Sequence, residues 1–89
     1  MRIARQMVAE KLGAYLRHES TLPELIDWAE EAMREGEIDE AGFLEIRDTL
    51  ARVGLADVRE FGLTWEDCED LLRRLGYTAR IEIVVNTSA

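Results

Sequence analysis

Thr21-Leu22-Pro23-Glu24-Leu25-Ile26-Asp27-Trp28-Ala29-Glu30-Glu31-Ala32-Met33-Arg34-Glu35-Gly36 is the stretch that decides the fold class. Thr21 is an N-cap residue, and Glu24 three places on completes a capping box. Pro23 falls in the first turn, where its missing N–H is not needed. Leu25, Ile26, Ala29, Ala32 and Met33 recur at the helical period and predict a buried stripe bordered by Trp28. Asp27, Glu30, Glu31 and Glu35 then face outward. Gly36 predicts a left-handed stop.

The same signals extend in both directions. Ala4, Val8, Leu12 and Tyr15 predict a helix over residues 3–17. Gly13 weakens it by about 1 kcal/mol relative to alanine and leaves room for a neighbour to pack closely. Asp39 is a cap for a third helix running to about residue 53, with Phe43, Ile46, Leu50 and Val53 on its inner face and Gly54 as its stop. Leu55, Val58 and Phe61 predict a short helical turn. Thr64 with Asp67 opens a last helix, and Leu63 and Cys68 are spaced as a hydrophobic staple. Trp65, Cys68, Leu71, Leu72 and Leu75 form its inner face, and Gly76 closes it.

The chain then changes period. Thr78-Ala79-Arg80-Ile81-Glu82-Ile83-Val84-Val85 alternates as a strand does, with Ala79, Ile81, Ile83 and Val85 on one face. No second strand is evident, and a lone strand leaves its N–H and C=O groups unmet. The expectation is a mainly α, compact bundle of about four helices with one C-terminal β-strand. Residues 1–89 form one domain, and 78–85 pair with another chain. An unpaired tail, or pairing with residues 1–3, are the other outcomes.

Eighty-nine residues at 47% hydrophobic content suit a single folded domain. The net charge of −8 is unevenly placed: residues 1–20 carry +2, 21–48 carry −8, and 49–89 carry −2. Such a middle repels nucleic acid and anionic membrane and attracts a basic protein. The plainer reading is an acidic surface that keeps a small protein dissolved. Cys68 is the sole cysteine, which rules out an internal disulfide. The N-terminal residues lack the apolar run of a signal peptide, and no stretch reaches membrane-spanning length, so the expected location is cytoplasmic.

Glu35-Gly36-Glu37-Ile38-Asp39 resembles half of a calcium loop, yet the register puts Met33 and Gly42 at ligand positions. Asp27 with Glu31, Glu31 with Glu35, and Glu66 with Asp70 pair carboxylates at helical spacing, on outer faces without a histidine. His18 is the only histidine; it is read as a helix C-terminal cation beside Arg17, and Cys68 as a core residue. Trp28 and Trp65 are read as core or core edge, with exposed anchors as the alternative. A helix-turn-helix over residues 21–53 is rejected on charge. No metal ligands, cofactor or catalytic residues are assigned.

Leu22-Pro23-Glu24-Leu25-Ile26-Asp27-Trp28-Ala29-Glu30 and Phe61-Gly62-Leu63-Thr64-Trp65-Glu66-Asp67 resemble segments of small, acidic, helical bacterial antitoxins and immunity proteins. The resemblance implies a basic protein partner, often a toxin or nuclease, masked by an acidic surface. It gives no individual residue a role. The expected function is therefore a non-enzymatic interaction module. Its acidic face is Asp27, Glu30, Glu31, Glu35, Glu37, Asp39 and Glu40, and its strand contacts are Arg80, Ile81, Glu82, Ile83, Val84 and Val85. The partner is a basic protein or a second copy, with no direct nucleic acid and no membrane. A homodimer paired through the C-terminal strand, a DNA-mimic inhibitor and a carboxylate-bound metal hydrolase are the alternatives.

Overall fold

Two helices start where their cap residues place them. A computed structural model describes residues 1–58 and 62–86. In it, Thr21 Oγ1 accepts from Glu24 N–H at 3.3 Å, and Glu24 Oε1 accepts from Thr21 N–H at 2.8 Å. Thr64 and Asp67 repeat the exchange at 3.1 and 2.9 Å. Each pair meets two of the backbone groups that a helix start leaves open, at about 1 kcal/mol per cap. The elements in chain order are β1 (Arg2–Ile3), α1 (Arg5–Leu16), α2 (Leu22–Glu35), β2 (Glu37–Ile38), α3 (Phe43–Leu55) and α4 (Trp65–Arg74). The protein is mainly helical, and the largest helix pair is α2 against α3.

The core gathers one face from each helix: Val8 and Leu12, Leu25 and Ala29, Ile46, Leu50 and Val53, then Cys68, Leu71 and Leu75. Leu63 and Cys68 are both buried, as a staple requires. Met33 and Phe43 depart from the expected inner stripes and lie 49% and 43% exposed. Both sit at the edge of the apolar arc, where a few tens of degrees of helix rotation decide burial.

Among the described residues the only strands are β1 and β2, a parallel pair with Arg2 opposite Glu37 and Ile3 opposite Ile38. Glu37 N–H donates to Met1 O at 2.7 Å, and Asp39 N–H donates to Ile3 O at 2.9 Å. This corrects two expectations. Residues 3–4 are not helical, because Ile3 is drawn into the core at 0% exposure. Asp39 is not a helix cap, because Arg2 claims its carboxylate through Nε and Nη2 at 3.0 and 2.8 Å. Gly42 holds that N-cap position instead, at φ +82° against the Arg5 side chain. The expected C-terminal strand is also absent, since residues 77–86 carry no ladder. No neighbouring strand reaches them, and β1 has already taken β2. Phe61 lies outside the described residues, while Leu55 closes α3 and Val58 N–H donates back to its carbonyl at 2.9 Å.

The helix ends are equally specific. Gly36 has φ −85°, so the left-handed stop expected there is not what selects glycine. A Cβ at Gly36 would stand 2.6 Å from Ala32 O and 2.7 Å from Ile3 Cγ1. The turn after α1 holds His18 at φ +63°, with Glu19 N–H donating to Ala14 O at 2.8 Å and His18 N–H to Tyr15 O at 3.1 Å. That is a Schellman closure with a non-glycine residue in the left-handed position.

Two substitutions test these ends. Gly36→Ala would stabilise by about 0.4–1 kcal/mol if backbone freedom were all that mattered. Overlap with Ile3 and the Ala32 carbonyl opposes this by about 1–3 kcal/mol, so the expected net effect in a thermal melt is a lower Tm. His18→Gly relieves the left-handed strain and is expected to raise stability by about 0.5–1 kcal/mol in urea unfolding. An unchanged midpoint for His18→Gly would show that residue 18 bears no strain.

Candidate functional site

The acidic surface starts from the outer side of α2. Its inner side buries Leu25, Ile26, Ala29 and Ala32, which turns Asp27, Glu30, Glu31 and Glu35 to solvent. Glu37 and Glu40 continue the exposed acids into the following connection. Asp39 does not belong with them, because its side chain is 29% exposed and ion-paired to Arg2. Of the seven acids expected to meet a partner, the other six have no ion pair among the described residues. A cationic surface that docks on them would reduce their mutual repulsion.

The second candidate surface begins where α4 stops. Gly76, at φ +95°, closes the helix: its N–H donates to Arg73 O at 3.0 Å, and Tyr77 N–H donates to Leu72 O at 2.8 Å. The chain reverses there, and Ala79 packs on the core. Residues 77–82 form one wall of a groove of about 700 Å³, with Ala9, Gly13 and Leu16 of α1 and Trp65 and Leu72 of α4 in its lining. Gly13 therefore admits no neighbouring backbone; a Cβ there would meet only the mobile end of Arg17, at 2.9 Å. Beyond Ala79 the apolar side chains leave the body. Ile81 is 67% exposed, Ile83 93%, Val84 71% and Val85 84%, and Arg80 and Glu82 are exposed beside them.

The structure does not bring the two surfaces together. Lys11 faces α2, with Nζ 5.5 Å from the Trp28 ring centroid, while Gly13 faces the groove. Residues two positions apart on a helix lie about 160° apart around its axis. The acidic helix and the C-terminal segment thus flank α1 on different sides.

The reactive residue types fall elsewhere. Cys68 is buried, and burial pushes its thiol up to about 11, so almost none is thiolate near neutrality. His18 is exposed and serves the turn after α1. No three His, Cys, Asp or Glu side chains gather for a metal ion among the described residues. No helix there is long and apolar enough to cross a membrane. Trp28 and Trp65 are both half-buried, the first under Lys11 and the second beside the groove.

Arg52 was not singled out in the sequence. It donates to Gly62 O and to Asp67 Oδ2, each at 3.0 Å, and so ties α3 to the start of α4. The Thr64 backbone N–H, then the Thr64 hydroxyl, and last the Arg52 charge hold the Asp67 carboxyl below its ordinary value of 3.8. A lowered folded-state pKa adds stability that is complete above the unfolded value and fades as pH falls through the folded one. Asp67 is partly exposed, so the effect is expected to stay below about 1 kcal/mol. The stability gap between the wild type and Asp67→Asn should therefore narrow as urea melts are taken from about pH 6 to about pH 2. A gap that is constant with pH would mean that the charge of Asp67 contributes nothing.

Comparison with known proteins returned no matching family model, no matching curated protein and no matching solved structure.

Proposed function

We propose that this chain is a non-enzymatic interaction module of the antitoxin or immunity type, which masks a basic protein partner. The observation that carries the reading is the set of six exposed carboxylates, Asp27, Glu30, Glu31, Glu35, Glu37 and Glu40, that have no ion pair among the described residues. Their field acts over about 8–10 Å at moderate salt and steers a cationic surface before contact. Because steering does not need contiguity, the C-terminal segment on the other side of α1 can contribute separately. Residues 80–85 offer backbone groups and β-branched side chains to the sheet edge of a neighbouring chain.

The test uses immobilised wild-type protein and a Glu30→Lys/Glu31→Lys/Glu35→Lys variant, each exposed to an extract of the source organism. At about 50 and 150 mM salt, wild type is expected to retain a basic protein that the variant releases. With that protein purified, the association rate should fall roughly tenfold or more in the variant. Retention of no basic protein by wild type at either salt concentration would sink the proposal.

A further inference from the structure

We infer that residues 77–85 pair antiparallel with the same segment of a second copy, about a two-fold axis between the two Ile81 residues. The inference rests on the reading above only in that this segment pairs outside its own chain; it does not use the basic partner. Ala79 fixes the phase of the segment, because it packs on the core. In an extended chain Ile81, Ile83 and Val85 share the face of Ala79. They continue toward an apolar surface that their own body no longer supplies, at 67%, 93% and 84% exposure.

The order of side chains selects a single register. With the axis between the two Ile81 residues, Arg80 of each copy lies opposite Glu82 of the other, so two opposite-charge pairs form at once. On the second face Ala79 meets Ile83, small against large, and Tyr77 meets Val85. Moving the axis to Arg80 sets arginine against arginine, and moving it to Glu82 sets glutamate against glutamate. An axis at Ile83 leaves Arg80 and Glu82 opposite uncharged residues. An axis between residues mixes the apolar and charged faces. Neither Arg80 nor Glu82 has an ion-pair partner among the described residues, so both charges are available for the exchange. Ala79 also borders the α1–α4 groove. The partner's Ile83, placed opposite Ala79, then comes to the edge of that groove, beside Trp65 and Leu72. A two-fold pairing closes on itself and stops at the dimer.

The test is sedimentation of the full chain from about 10 µM to about 1 mM, a range that spans weak interfaces. A concentration-dependent dimer is expected. Arg80→Glu and Glu82→Arg each turn two attractions into repulsions and should weaken dimerisation about tenfold. The double variant Arg80→Glu/Glu82→Arg restores both pairs and should recover wild-type association. An equimolar mixture of the two single variants should form a mixed dimer tighter than either variant alone. Far-UV circular dichroism checks that each variant keeps its helices. A wild type that stays monomeric at about 1 mM, or single reversals that dimerise as tightly as wild type, would overturn the inference. Either result leaves capture of a basic protein by the acidic face intact, so the two proposals fail separately.

Discussion

The architecture depends on Ile3 being held under a two-residue parallel clasp. Met1 and Ile3 give their carbonyls to Glu37 and Asp39, and Arg2 holds the Asp39 carboxylate. The ion pair itself is exposed and adds little. The apolar anchor is the stronger part, since a fully buried isoleucine side chain contributes about 1.5–3 kcal/mol. The clasp joins the chain's start to the α2–α3 connection and sets how α1 lies on the pair. It also uses the strand pairing that the chain's start provides. Among the described residues the C-terminal segment has no strand partner, and Asp39 is withdrawn from the acidic surface by its contact with Arg2.

Some features written within one turn of helix were legible in the sequence, although Gly54, expected to stop α3, lies inside it and Gly36 ends α2 without the left-handed conformation. Thr21 with Glu24, Thr64 with Asp67, and Gly76 after α4 all act over three to five residues, and each is found where the residues imply. Features that depend on distant partners were not. Ile3 and Gly36 explain each other, yet 33 positions separate them. Asp39 has the chemistry of a cap, but a guanidinium 37 residues away outcompetes the helix for it. Arg52 offers no local pattern at all, because its partners are a loop carbonyl and a carboxylate that is itself part of a cap. The exposed acids of α2 were readable because amphipathic periodicity settles them, whereas the separation of acids and C-terminal segment by α1 needed the fold.

The two surfaces act at different range. On the proposed reading, charges on α2 would reach a partner through solvent and set encounter rate and choice more than final affinity. The backbone of residues 78–85 acts only at hydrogen-bond distance. Under both proposals, the places of the two surfaces on different sides of α1 would keep them from competing for the same area.

The bare run from Ile81 to Val85 has a further consequence for how the molecule survives in concentrated solution. A short β-branched stretch with few charges is the type of sequence that stacks into cross-β fibrils. Glu82 is its single charge, on the same face as Arg80 just before it. The net charge of −8 would oppose such stacking by keeping copies apart. High ionic strength or acid, by weakening that repulsion, would leave the segment to nucleate aggregates.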